Sequence, residues 1–284
     1  MQKLKTVIKT AIGRRPTLVQ PLHGGMVGEV YAVEMPGGEQ LVAKFDPKQK
    51  AMLAREGYML EYLNENTDFP VPDVLYSNDT LLLMTYVEGS SSFGTQAQEH
   101  AADLLANLHS ETADQFGLEN DTLIGPLHQP NPWTNRWLDF FREHRLLYMA
   151  DVAYQAGRLS AVVRSRIDKL AAKLDQYVEE PDQPALIHGD LWTTNILAKD
   201  GCIEGFIDPA IYYGHPEVEL AYTTLFGTFG EPFFKRYHAL RPIAAGFFEE
   251  RRDLYNLYPL LVHVRLFGGS YAASVDRTLR QYGV

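Results

Sequence analysis

The sequence predicts an α+β fold in two lobes: a small β-rich N-lobe over residues 1–88 and a larger, mainly helical C-lobe over residues 89–284. Three observations carry this. Residues 29–87 alternate short β-like runs with a single amphipathic segment. Most of the chain beyond residue 95 has the 3.6-residue apolar period of helices. Between 186 and 208 two short apolar runs enclose the polar residues His188, Asp190 and Asn195, and Asp208 closes the stretch.

Taken in order, Met1 to Ile12 sets Leu4, Val7, Ile8, Ala11 and Ile12 among lysines, a surface-helix pattern. Glu29 to Glu34 and Glu39 to Phe45 read as a hairpin joined at Pro36-Gly37-Gly38. Before it stands a glycine cluster, Gly24, Gly25 and Gly28. Glycines let backbone N–H groups approach phosphate oxygens, and they also simply make turns. Lys44 lies in Val42-Ala43-Lys44-Phe45, where a strand must send it to one face. Lys50 to Asn64 reads as a helix with Leu53, Leu60 and Leu63 on one face, and Glu56 falls inside that stripe. A carboxylate there is costly unless paired. The nearest upstream cation is Lys44, so a Lys44–Glu56 ion pair is expected, with Lys44 aimed at nucleotide phosphates.

Phe69 to Tyr76 is extended by its prolines, and Thr80 to Val87 is an apolar strand. Backbone at Thr85, Tyr86 and Val87 is expected to face an adenine edge. Glu88-Gly89-Ser90-Ser91-Ser92 reads as a flexible interlobe hinge. In the C-lobe, helices are expected over Gln96 to His109, Trp137 to Tyr148, Arg164 to Tyr177 and Pro216 to Phe226. The segment Phe116 to Pro126 reads as loop, and Gln129 to Trp133 as a proline-rich loop able to wall a cleft. Glu231 to Tyr258 reads as helix broken at Pro232, Pro242 and Pro259. Leu260 to Thr278 reads as one last helix carrying Gly268-Gly269.

The central stretch carries chemistry. Asp190 and Asn195 stand five positions apart, and Asp208 comes thirteen after Asn195. Oxygen-bearing side chains at strand ends suit transfer of a phosphoryl group to a hydroxyl with Mg2+. One carboxylate takes the proton; an amide and a second carboxylate hold the metal. Trp192 beside the base is either core packing or a platform for substrate. His188 reads as a brace for the loop. The nine histidines show no paired metal spacing.

Composition bounds the partners. The net charge is −10 with no Lys/Arg block, so neither nucleic acid nor an anionic membrane is expected as main partner. No apolar run approaches the roughly 20 residues of a membrane helix. The single cysteine, Cys202, excludes an intramolecular disulfide, and a cytoplasmic location is the expectation.

Several motifs, spread over most of the chain, together resemble the fructosamine kinase (ketosamine-3-kinase) family. This is a branch of the aminoglycoside-phosphotransferase-like, protein-kinase-like fold. They are Gly24-Gly25, Lys44, Phe116-Gly117-Leu118 with Ile124-Gly125 and Gln129-x-Asn131-x-Trp133, and His188-Gly189-Asp190-Leu191-Trp192 with Asn195. Asp208-Pro209-Ala210, Tyr212-Tyr213-Gly214-His215 and Phe267-Gly268-Gly269-Ser270-Tyr271 complete the set. Departures are Thr193-Thr194 before Asn195, Pro216 after His215, Glu219 where aspartate is usual in the wider branch, and Met26 where some relatives have a cysteine. Regulation through a loop cysteine is therefore not expected.

The resemblance implies ATP-dependent phosphorylation of the 3-hydroxyl of a ketoamine sugar, on a small amine or a glycated protein lysine, with later release of the amine. It implies Asp190 as catalytic base, Asn195 and Asp208 as Mg2+ ligands, and Lys44 held by Glu56 on the phosphates. The backbone of Gly24, Gly25 and Gly28 would cover them, and Trp192 would meet the substrate. Two rivals stand beside it: a kinase of the same fold acting on choline, homoserine or an aminoglycoside, and a nucleotide-binding pseudokinase. Trp192 and Tyr212-Tyr213 speak against the first, and the intact polar set against the second. Monomer and homodimer both stay open.

Overall fold

The computed structural model describes residues 1–22 and 29–284. The glycine cluster Gly24, Gly25 and Gly28 lies outside the described residues.

An antiparallel sheet of five strands forms the N-lobe. It comprises β1 (Leu18–Pro21), β2 (Glu29–Glu34), β3 (Gln40–Phe45), β4 (Val74–Ser77) and β5 (Leu81–Thr85), in the order β1-β2-β3-β5-β4. The period-2 alternation of strands gives the sheet two apolar faces. Leu41, Ala43, Phe45, Leu81 and Leu83 point to one face and pack with Leu4 and Ile8 of helix α1 (Gln2–Ile12). Val42, Leu82 and Met84 point to the other and pack with Leu53 and Leu60 of helix α2 (Leu53–Asn66). Lys44 shares this second face, opposite Leu82. Gly57 permits the close seat of α2 on β4, because a Cβ there would lie 2.5 Å from Ser77 Cβ. Strand β1 was not expected; of its four residues only Val19 is buried, too little for a pattern.

The polar stretch after β5 is not a free hinge. Ser90 and Ala198 exchange backbone hydrogen bonds, each of 2.9 Å, so the linker is fastened to the C-lobe. Beyond it lies α3 (Thr95–Leu108). The expected loop after residue 116 contains a small hairpin, β6 (Thr122–Ile124) with β7 (Leu127–Gln129). Helix α4 (Trp137–Phe141) runs through a wider turn over Arg142–Leu147 into α5 (Tyr148–Gln155). Helix α6 (Ala161–Ala171) ends earlier than expected and gives way to a 3-10 turn over Leu174–Gln176.

Four short strands hold the centre. β8 (Ala185–Ile187) pairs with β11 (Tyr212–Gly214), and β9 (Ile196–Lys199) forms a hairpin with β10 (Cys202–Phe206). The loop from β8 to β9 and the loop from β10 to β11 therefore emerge side by side.

Helix α7 (Pro216–Leu225) comes next, then α8 (Glu231–Leu240), α9 (Arg252–Tyr255), α10 (Leu257–Phe267) and α11 (Ser270–Gln281). Two corrections fall here. Pro232 breaks nothing: it sits in the first turn of α8, where the missing N–H has no helical partner to lose. Pro259 sits in the first turn of α10, and the helix is interrupted just before it, at Asn256 between α9 and α10. The expected last helix is two, because Gly268 and Gly269 take φ of 65° and 60° and end α10. Among the described residues, no helix is long and apolar enough to cross a membrane.

Candidate active site

The β8–β9 loop is built by local constraints. Gly189 takes φ of 82°, and a Cβ there would stand 2.1 Å from Ala210 O, so glycine is required. Ala210 N donates to His188 O at 2.7 Å, tying the two loops together. His188 is buried between Phe69 and Phe206, and its Nδ1 accepts the Asp190 N–H at 3.3 Å. Burial pulls its pKa down, so the ring is a neutral brace. Glu219 in the first turn of α7 reaches the loop from beneath. Its carboxylate accepts the N–H groups of His188 at 3.1 Å and Gly189 at 2.7 Å. It also lies 3.0 Å from Nε2 of His109, whose Nδ1 meets the Tyr237 hydroxyl. His109 is thus a core residue at the end of α3. Glu217 is taken by a two-pronged contact with Arg251, at 2.6 Å to each oxygen. Neither glutamate serves merely as a helix-dipole partner.

These constraints bring the predicted residues together. Lys44, Glu56, Asp190, Trp192, Asn195 and Asp208 all line one cavity of about 630 Å³ between the lobes. Lys44 Nζ lies 2.6 Å from Glu56 Oε1 and 2.6 Å from Asp208 Oδ1, with Lys44 and Glu56 buried. The expected ion pair is present, and Asp208 extends it across the cleft. Burial works to lower the Lys44 pKa, but the Asp208 and Glu56 charges outweigh it and hold the ammonium above its ordinary value. Burial, opposed by Lys44, raises that of Glu56. Asp208 takes φ of 54°, a strained value for a side-chain-bearing residue.

Asp190 is half-buried and opens to the cavity. One oxygen accepts the Tyr222 hydroxyl at 2.8 Å, the other the Asn195 amide at 3.0 Å. Burial pushes its pKa up to about 7, against the pull of the Tyr222 hydrogen bond; Asp208 adds to the rise. Asn195 also donates to Asp190 O at 2.9 Å. Its amide nitrogen is thereby spent, and among the described residues its Oδ1 and the Oδ2 of Asp208 receive no donor. An amide oxygen and a carboxylate oxygen facing one cavity are the donor set of a hard divalent cation. The residues fit Mg2+.

At the far end Thr85, Tyr86 and Val87 line the same cavity, with Val30 and Val42 above and Leu197 and Ile207 below. Thr85 N–H is already donated to Asp73 O at 2.9 Å. The unspent backbone is that of Tyr86 and Val87, which take no backbone partner among the described residues.

The motif Gln129-x-Asn131 turns out to support rather than wall the cleft. Both side chains are buried; Gln129 donates to Ala210 O at 2.9 Å, and Asn131 Oδ1 accepts from the buried Arg145. Trp133 is exposed, beside Tyr213, and does not line the cavity. Trp192 does, half-buried, with its ring 5.6 Å from Phe226 and 6.4 Å from His263. Cys202 is exposed.

Sequence reasoning missed Tyr222. Its signal was present: Glu219 and Tyr222 are three apart on α7 and share a face. Each residue alone reads as helix filler.

The fructosamine kinase family model matches residues 1–283. A probable ketoamine kinase of Synechocystis sp. is 33% identical over 92% of this chain and 88% of its own length. A chloroplastic protein-ribulosamine 3-kinase of Arabidopsis thaliana is 32% identical, over 94% of this chain and 82% of its own. A solved structure from Thermobifida fusca, assigned to the fructosamine-3-kinases, superposes with a TM-score of 0.87 at 32% identity. It covers 99% of this chain and 98% of that one. The fold is the α+β, protein-kinase-like one expected.

Proposed function

The chain belongs to the fructosamine kinase family, and from that membership we propose that it transfers the γ-phosphoryl group of ATP to the 3-hydroxyl of a ketoamine sugar. The sugar is carried by a small amine or a protein lysine. The relatives named for ketoamine and protein-ribulosamine substrates support this reading. The observation that carries it is the convergence of Asp190, Asn195, Asp208 and the Lys44–Glu56 pair on one cavity, with Trp192 beside the base.

Each residue has a role. Adenine lies between the valines of the sheet and Leu197 and Ile207, with its edge toward the backbone of Tyr86 and Val87. Lys44, fixed by Glu56, holds the α- and β-phosphates. Asn195 and Asp208 would hold Mg2+, which supplies charge neutralisation between the phosphates. Asp190 orients the 3-hydroxyl and takes its proton as the oxygen bonds to the γ-phosphorus and the bond from that phosphorus to the β-phosphate oxygen breaks, releasing ADP. The indole of Trp192 forms one wall for the sugar and its amine. Catalysis on this reading is positioning and charge complementarity, as phosphoryl transfer requires. The unstable 3-phosphate then sheds the amine, which makes the reaction a deglycation.

The test is ATP consumption with fructose-, ribulose- and erythrulose-linked lysine beside choline and an aminoglycoside. Turnover with one or more of the ketoamines, and little with the others, is expected. Turnover confined to choline or the aminoglycoside would overturn the reading.

A further inference from the structure

Asp190 is held at both carboxylate oxygens by different parts of the chain. Asn195, within its own loop, donates to Oδ2 at 3.0 Å; Tyr222, from α7, donates to Oδ1 at 2.8 Å. Tyr222 is buried, and its hydroxyl makes no other hydrogen bond among the described residues. Burial and the neighbouring Asp190 charge keep its pKa well above the ordinary value, so it stays a donor.

The same helix holds the loop twice. Glu219 takes the N–H groups of His188 and Gly189; Tyr222, three residues on and on the same face, takes the side chain of Asp190. One contact fixes where the loop runs, the other where its carboxylate points. A carboxylate that must meet an incoming hydroxyl gains from being oriented beforehand, because the alternative rotamers are then excluded before substrate binds.

We propose that Tyr222 is a positioning residue for phosphoryl transfer: its hydroxyl locks the Asp190 carboxylate in the orientation that receives the acceptor hydroxyl. It touches neither nucleotide nor acceptor and acts through Asp190 alone. The proposal rests on the ketoamine reading only for the identity of the acceptor.

Tyr222→Phe removes the hydroxyl and keeps the ring. The expected result is a fall in kcat of roughly tenfold, the scale of a lost hydrogen bond to a charged group. KM for ATP and for the acceptor should stay within about twofold. The companion variant is Thr223→Val on the same helix. Thr223 is buried and, among the described residues, its hydroxyl donates only to Leu220 O, at 2.8 Å. It should lower the melting temperature and leave kcat at the wild-type value. A kcat for Tyr222→Phe within about twofold of wild type would overturn the proposal. So would a rise of KM for ATP in step with the loss, or an equal loss of kcat in Thr223→Val. Wild-type turnover is measured first. If it phosphorylates no ketoamine but does phosphorylate choline or an aminoglycoside, the substrate reading fails, and the Tyr222 comparison is made on that alcohol. If it phosphorylates none of them, both fall.

Discussion

The two sides of the cleft are built from different materials. On the proposed assignment the phosphate side is ionic: one buried ammonium, Lys44, bridges two carboxylates brought from α2 and from the loop after β10, each at 2.6 Å. The proposed acceptor side is mainly aromatic around the single carboxylate of Asp190. Trp192 meets Phe226 and His263, His263 meets Tyr271, and the phenol of Tyr222 reaches the base. The difference reflects the ligand each side must recognise. Phosphates bring the same concentrated charge with every substrate, so fixed countercharges suffice. The hydroxyl that accepts the phosphoryl group is itself uncharged and must be told from others by shape and by the aim of a single hydrogen bond.

The comparison is tested most severely where the two sides meet, at Asp190. Asp190→Asn keeps the shape and one of the two acceptor oxygens but cannot take a proton. Turnover should fall by about 10³-fold or more, with ATP affinity near wild type by calorimetry. Loss of ATP binding would place Asp190 on the phosphate side instead. The next effect belongs wholly to that side. Glu56→Gln removes the charge facing Lys44 and leaves Asp208 to hold it alone, pulling the ammonium toward the metal position. Turnover is expected to drop about 10²-fold, with KM for ATP raised and KM for the acceptor unmoved. Trp192→Leu should do the reverse on a smaller scale. KM for the ketoamine rises about tenfold and KM for ATP stays. If Trp192→Leu moved both constants together, the two sides would not be separable.

The same contrast governs what could be read from the chain. Lys44 and Glu56 were legible because a carboxylate inside an apolar stripe demands a partner, and the helical period states where the stripe runs. Strands β2 and β3 were legible as a hairpin about Pro36-Gly37-Gly38, and β5 as a continuous apolar run. Asp190, Asn195 and Asp208 were legible as oxygen-bearing residues at the ends of apolar runs. The acceptor side left almost no such trace. A tyrosine on a buried helix looks like packing, and only the meeting of residues 190 and 222 in space makes its hydroxyl a partner of the base. A glycine pair was harder to place: the apolar period runs one helix through Gly268-Gly269, yet positive φ at both residues ends it.

The smallest effect concerns α7, the helix that carries the acceptor side, and it is seen through pH. His215 caps its start: the ring Nδ1 accepts the Glu217 N–H at 3.1 Å, which only an unprotonated nitrogen can do. Burial, with Arg251 and His109 nearby, depresses its pKa from 6.5 to about 3. A group whose folded pKa lies below the unfolded one is protonated more readily in the unfolded chain. Its contribution is therefore complete above about 6.5 and is lost as pH falls toward 3. At pH 6 the loss amounts to about 0.8 kcal/mol or less. His215→Asn keeps a capping acceptor and removes the titration. Denaturant unfolding at pH 7.5 and pH 6 should show the wild type losing more stability than the variant by about that amount, while the phosphate-side pair of Lys44 and Glu56 is untouched. Equal losses in the two proteins would mean that His215 titrates normally, and that α7 holds the catalytic loop without help from a neutral cap.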